Sequence, residues 1–315
     1  MLTKDHPLVH QKYILPTNAV ETLLNTVVQW LDLRVCGGLI FGMPRGGKTF
    51  AVDFIRGRLN DLLDEPIPIL SIEGNDEQTD ATPKIFWSSI LEDIGSRWAD
   101  SGTARECRRR VIQTFHAKCI AARSSRLLLF LDDAQWFSLN DYAKLVDLRK
   151  QMRRRQIELI LISVGQEELS HKPGTLSGIS KWPVIGRFMQ EQTLYRGANL
   201  GTDLARILNA YDEDTEYPDG SGVSYTQAAV PSAWDAGFRI LSTHEDLANA
   251  ITETRLERTG GIDTDEYPMP PLVNSINGLL RELSESDAPD LRPSKGFIKD
   301  VVRRRAGALI EAEVE

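Results

Sequence analysis

"GLIFGMPRGGKTF", residues 38–50, decides the reading of this chain. An apolar run, Leu39–Phe41, leads into Gly42-Met43-Pro44-Arg45-Gly46-Gly47-Lys48-Thr49, which fits the pattern G-x-x-x-x-G-K-[S/T]. Glycines let backbone N–H groups converge on phosphate oxygens without interference from Cβ atoms. A helix starting there adds the positive end of its dipole. Lys48 is placed to reach the β- and γ-phosphates of ATP, and the Thr49 hydroxyl to ligate Mg2+.

Working outward, the flanking segments read as alternating helices and strands. Val20, Leu23, Leu24, Val27, Val28 and Leu31 recur at helical spacing over 18–34, with Asn18 as the cap. A helix over 47–63 would turn Phe50, Phe54, Ile55, Leu59, Leu62 and Leu63 inward. "IPILSIEG", "RLLLFLDD" and "IELILISVGQ" read as three more strands, separated by helices over 83–98, 103–123 and 142–154. The strands lack polar alternation, as expected when helices cover both faces of a parallel sheet. From about 170 the chain becomes loop-rich, and 232–254, 271–284 and 294–312 read as helices. The expected architecture is an α/β nucleotide-binding domain over 1–195 and a smaller helical domain over 196–315. A surface insertion is expected near 212–231, where "NAYDEDTEYPDG" is acidic and rich in turn residues.

A second motif supports the first. Residues 127–135, "LLLFLDDAQ", form a buried strand that delivers Asp132 to its C-terminal end, where ligands bind in parallel sheets. Asp132 is the candidate Mg2+ holder and Asp133 the candidate residue that orients or deprotonates the attacking water. Asp is one methylene shorter than the Glu many ATPases use there, so slow hydrolysis is expected. The strand "LILISVGQ" ends near Ser163 and Gln166; Gln166 is the candidate γ-phosphate sensor, because Ser163 falls inside the strand.

Together these features resemble the AAA+ ATPases: a P-loop, paired acids after an apolar strand, a sensor strand and a helical lid. More narrowly, "LDDAQ", "ISVGQEEL" and "IGRFM" look like the TnsC/TniB group, the transposition-regulator ATPases of heteromeric and CRISPR-associated transposons. The resemblance implies a P-loop fold and a ring or filament of identical subunits. In such an assembly each bound nucleotide is completed by a neighbour's arginine, for which Arg187 in "GRFM" is the candidate. It also implies sequence-independent binding of duplex DNA, recruitment of a transposase and a target-selection protein, and disassembly on hydrolysis. Two features depart from the pattern. The second acid is Asp133, not Glu, and only Arg281 offers itself as a second sensor arginine. A signalling or secretion-associated ATPase that switches protein partners without DNA is the alternative these motifs also serve.

Composition narrows the classes. The 315 residues carry a formal net charge of -8 with 41% apolar and 26% charged residues, and no apolar run approaches a membrane span. A cytoplasmic protein is expected. Cys36, Cys107 and Cys119 have no metal-ligand spacing. The mean charge hides an asymmetry: residues 60–80 hold seven acids and no Lys or Arg, whereas 104–126 hold seven Lys/Arg and one acid. "RKQMRRR" at 149–155 adds five bases. Arg105, Arg108, Arg109, Arg110, Arg149 and Arg153 are therefore the candidate DNA contacts. Aromatic residues do not alternate with them, which argues for backbone contact rather than base stacking.

Overall fold

Apolar runs without polar alternation become the interior of a parallel sheet. The computed structural model describes residues 2–10, 13, 15, 17–74, 82–171, 186–259 and 266–311. After a one-turn helix, α1 (Pro7–His10), the chain runs α2 (Asn18–Asp32), β1 (Gly37–Phe41), α3 (Lys48–Leu62), β2 (Ile69–Glu73), α4 (Pro83–Asp93), α5 (Ala104–Ala121), β3 (Arg126–Asp132), α6 (Leu139–Arg153), β4 (Glu158–Gly165) and β5 (Glu191–Leu194). The five strands pair in the order β2-β3-β4-β1-β5, all parallel. Leu127, Leu129, Leu131, Leu159 and Leu161 lie in one core with Phe86, Phe115, Tyr142 and Leu148 from the covering helices.

Local chemistry sets the helix ends. Thr103 and Glu106 form a reciprocal capping box on α5, and Ser138 and Asp141 form one on α6. The cap of α2 is Thr17, whose hydroxyl oxygen accepts the Val20 N–H at 3.2 Å. Asn18, the expected cap, is instead the first helical residue and donates through its amide to Asp203 at 2.7 Å.

Two compact units result. One comprises Thr22–Pro44 and Lys48–Tyr195; the other comprises Met1–Glu21, Arg45–Gly47 and Arg196–Glu315. In the second, Leu8 and Leu15 from the start of the chain join a core with Tyr211, Leu247, Leu272, Leu279 and Val301. The helices His244–Thr259, Met269–Leu283 and Lys295–Glu311 supply part of that core, and residues 198–240 supply more than a third of it.

Three expectations need correction. The buried face of α3 is Lys48, Ala51, Val52, Ile55 and Leu59, while Phe50 and Leu62 are exposed. The row Ala51-Ile55-Leu59 advances by four residues and sets the inward stripe; the larger side chains lie off it. Strand β5 has no counterpart among the expected strands: "EQTL" is short, polar and at the sheet edge. Finally, 212–231 is only partly a surface segment. Tyr225, Thr226, Ala229 and Val230 are buried, and so is Asp212. Asp212 is tolerated inside because its two oxygens accept the N–H groups of Ile240 and Leu241, each at 3.1 Å. The exposed residues are Glu213, Asp214, Glu216, the turn over 218–222 and Pro231.

Candidate functional site

The parallel register brings three strand ends to one edge. Phe41 lies opposite Gly165, Leu131 opposite Ser163, and Asp132 opposite Glu73. The glycine loop, the acid pair and Gln166 all emerge there.

Gly42 leaves β1 where no side chain fits. A Cβ at this position would lie 2.1 Å from the Tyr195 carbonyl oxygen, and the Tyr195 N–H donates to Phe41 O at 2.7 Å. We predict that Gly42→Ala destabilises the protein by about 2 kcal/mol, within the range for overpacking against a fixed partner. A chemical-denaturation midpoint equal to the parent's would refute this. Beyond it, Pro44 is exposed, Arg45 takes φ 56° and Gly47 φ 96°, with Gly46 between them. Positive φ at alternate positions turns neighbouring N–H groups toward one side, the geometry of an anion nest. Lys48 and Thr49 then open α3.

Lys48 is buried, and its ammonium donates to the carbonyls of Gly42 at 3.1 Å and Met43 at 2.7 Å. Burial holds its pKa below the ordinary lysine value; the carboxylates of Asp133, Asp132 and Glu168 pull the other way. Asp132 is also buried, which raises its pKa. The Asp133 N–H, which donates to Asp132 Oδ1 at 3.0 Å, and the nearby Thr49 hydroxyl oppose that rise, while the charges of Asp133 and Glu73 add to it. Thr49 and Asp132, 83 positions apart in sequence, are thus brought to the same place, near enough for the hydroxyl to act on the carboxylate's pKa.

These are hard oxygen donors, few in number. Magnesium suits such a set, because it keeps several waters and takes its other ligands from phosphates. Among the described residues no group of three or more His, Cys, Asp or Glu is gathered for a metal. Thr49 and Asp132 would hold the ion, which would supply charge neutralisation at bridging phosphate oxygens.

Asp133 sits in the left-handed region, φ 46° and ψ 46°, at the start of the turn Ala134–Trp136. Gln135, which sequence reasoning used only as a family signature, holds it there. The Gln135 amide nitrogen donates to Asp133 Oδ1 at 3.0 Å, and its amide oxygen accepts the Gln166 N–H at 3.3 Å. One side chain therefore ties the end of β3 to the end of β4. Its spacing in D-D-A-Q was the available signal. Ser163 is fully buried in β4, its hydroxyl 3.2 Å from that of Tyr142, and Gln166 is the first residue beyond the strand.

The remaining candidates are distributed as follows. The backbone of Arg187 lies in the turn Gly186–Phe188, whose Phe188 is buried in the sheet core; the Arg187 side chain lies outside the described part. Arg281 is exposed on the helix Met269–Leu283. Of the basic residues, Arg105, Arg109 and Arg153 are exposed. Three others are engaged within the fold, contrary to a uniform DNA-facing role. Arg108 pairs with Asp147, and Arg110 donates to the carbonyls of Trp98 and Ser101. Arg149 donates to the Cys36 sulfur at 2.9 Å, and its guanidinium lies 5.4 Å from the Phe188 ring centre. No helix among the described residues is long and apolar enough to cross a membrane.

Comparison with known proteins agrees with this geometry. Residues 37–172 match the family model described as AAA domain. No curated protein matches the chain. Among solved structures, the Aeropyrum pernix ORC2 protein, in ADPNP–ADP complexes, aligns over 98% of this chain and 73% of its own, at 15% identity and a TM-score of 0.52. Domain III of the Thermotoga maritima replication initiation protein DnaA aligns over 97% of this chain and 99% of its own, at 12% identity and a TM-score of 0.52. The five-stranded parallel sheet flanked by helices, with its glycine loop and helical C-terminal region, is the AAA+ P-loop fold.

Proposed function

We propose that this chain is an ATP-dependent, oligomeric regulator of DNA transposition that binds duplex DNA without sequence preference. The observation that carries the nucleotide part is the convergence at one strand edge of buried Lys48, held by the Gly42 and Met43 carbonyls, buried Asp132, and Asp133 and Gln166 tied together through Gln135. In this reading residues 42–49 grip the triphosphate, and Thr49 with Asp132 holds Mg2+. Asp133 directs the attacking water, Gln166 senses the γ-phosphate, and Arg187 of a neighbouring subunit completes the site. Binding ATP then favours assembly, and hydrolysis releases subunits. The assembly bridges a target-selection protein and a transposase.

Support for DNA comes from the exposed arginines 105, 109 and 153. The AAA+ fold is also shared with a replication initiation protein. Support for transposition comes from the D-D-A-Q, G-Q-E-E-L and G-R-F segments. The test is electron microscopy and light scattering with duplex DNA, Mg2+ and a non-hydrolysable ATP analogue. Multi-subunit assemblies that need both nucleotide and DNA are expected. A protein that stays monomeric and ignores the duplex overturns the reading. Assemblies that form yet leave strand transfer by a co-encoded transposase unchanged overturn its transposition part alone.

A further inference from the structure

Three helices of the sheet-bearing unit end in the same way. The residues Arg34, Arg123 and Gln156 follow α2, α5 and α6 at φ 53°, 53° and 60°. Each is followed by a backbone bond that closes the helix end: Val35 N–H to Trp30 O at 2.9 Å, Ser124 N–H to Cys119 O at 2.9 Å, and Ile157 N–H to Met152 O at 3.1 Å. These left-handed closures are ordinarily made by glycine, which has no Cβ to collide with the backbone. The same chain uses glycine for this purpose elsewhere. Gly95 at φ 77° closes α4, and Gly237 at φ 93° closes the helix Pro231–Asp235, with the next N–H bonding to Leu91 O at 2.8 Å and to Ala233 O at 2.9 Å. Arginine is thus placed in a backbone conformation that disfavours it at two turns of one region.

Those turns lead into strands that are neighbours. They precede β1, β3 and β4, and the sheet order is β3-β4-β1. Adjacent strands lie about 4.8 Å apart, so the three turns fall within roughly 10 Å along the edge where strands begin, opposite the glycine loop. Arg34, Arg123, Arg153, Arg154 and Arg155 are all exposed there. Arg34, Arg123, Arg153 and Arg154 take part in none of the ion pairs formed among the described residues. Among the described residues the Arg155 guanidinium donates to the Gln151 carbonyl at 3.0 Å, and the nearby Arg126 is occupied by Glu158 at 3.9 Å. Acids come next along the same edge, before the outer strand β2 that pairs with β3: Asp61, Asp64 and Glu65 are exposed on the Arg123 side of the arginine row, and exposed Asp32 lies two residues before Arg34. Helix-dipole stabilisation does not account for the left-handed arginine after α5. Lys118 already serves the last turn of α5, as Lys150 and Arg153 serve that of α6, in ordinary helical conformation.

We propose that this strand-leading edge is a phosphate-backbone contact surface for duplex DNA, carried by Arg34, Arg123, Arg153 and Arg154. It rests on the DNA-binding reading above and moves the contact from the start of α5 to the turns before β1, β3 and β4. Four unpaired guanidiniums without an exposed aromatic among them suit phosphates rather than stacked bases.

The test uses the full chain, a short fluorescein-labelled duplex, Mg2+ and a non-hydrolysable ATP analogue, with anisotropy followed between about 50 and 200 mM salt. Arg34→Gly with Arg123→Gly is the informative pair, because glycine suits the left-handed backbone while removing the charge. Affinity is expected to fall by about tenfold or more, and the salt slope by about 0.9 for each phosphate no longer neutralised. The thermal midpoint should stay equal or rise. Arg34→Lys with Arg123→Lys should keep most of the binding. Arg105→Ala with Arg109→Ala is the contrasting arm. If that arm abolishes binding while the glycine pair binds as the parent does, the edge is not the DNA surface, although the DNA reading survives. Such a result would leave this face to a protein partner seated on the exposed Leu33 and Ile120. If the parent protein shows no salt-dependent binding, the DNA reading itself falls and takes this proposal with it.

Discussion

Lys48→Ala is expected to abolish nucleotide-dependent assembly while leaving the fold intact. The Lys48 ammonium is held under the glycine loop by the Gly42 and Met43 carbonyls, so it is positioned before any phosphate arrives. A hydrogen bond from an ammonium to a phosphate oxygen contributes about 1.5–3 kcal/mol, so removing one weakens nucleotide binding by roughly 10–100-fold. Removing bonds to two phosphates would go further. The cost to the fold is small by comparison. The two loop bonds disappear, but so does a buried cation whose desolvation already depresses its pKa. Calorimetry should therefore show ATP binding abolished at concentrations that saturate the parent, with a denaturation midpoint close to the parent's. The sign of the pKa shift adds a second check. Because burial lowers the Lys48 pKa, the ammonium deprotonates at a lower pH than an ordinary lysine, and nucleotide affinity should decline earlier as pH rises into the alkaline range. Assemblies of parental size formed by Lys48→Ala at the same nucleotide concentration would remove the P-loop from the mechanism.

The parts legible in the sequence are those in which a single physical cause dominates. Leu127–Leu131 has no polar alternation because both faces of β3 are covered, and burial there is nearly complete. The spacing from Gly42 to Lys48 reflects one loop geometry, so it could be read without knowing what packs around it. What escaped depends on partners far away in sequence. Strand β5 is a strand only because β1 lies beside it; its own four residues are mostly polar and exposed. Asp212 reads as a solvated loop acid until Ile240 and Leu241 supply their N–H groups. Leu8 and Leu15 look like an ordinary leading segment until the core formed by Tyr211, Leu272 and Leu279 is known. Arg149 is chemically the same as Arg153 in the sequence, but one is turned onto Cys36 and Phe188 and the other to solvent. In each case the deciding quantity is a tertiary neighbour, which local pattern does not encode.

Asp133→Asn is expected to leave ATP binding and assembly in place but to slow turnover by about 10²–10⁴-fold, the contribution of a positioned general base. The substitution isolates charge unusually well here. Asp133 occupies the left-handed region at φ 46°, which asparagine adopts at least as readily as aspartate. The bond from the Gln135 amide needs only an oxygen acceptor, and asparagine keeps one. The backbone and the Gln135 link should therefore persist while the carboxylate charge is removed. Assemblies on DNA should then outlive those of the parent in ATP, because hydrolysis is the proposed release step. Gln135→Leu is the companion. It preserves the carboxylate but removes both the bond to Asp133 and the acceptor for the Gln166 N–H. With the charge present but no longer held, turnover should fall by about tenfold, with nucleotide affinity within a few-fold of the parent's, the size of effect expected from a misplaced base rather than a missing one. Single-turnover hydrolysis and the lifetime of DNA-bound assemblies measure both variants. Rapid disassembly of Asp133→Asn in ATP would show that another residue activates the water. A Gln135→Leu variant as impaired as Asp133→Asn would mean that holding the carboxylate, not its charge alone, limits the reaction.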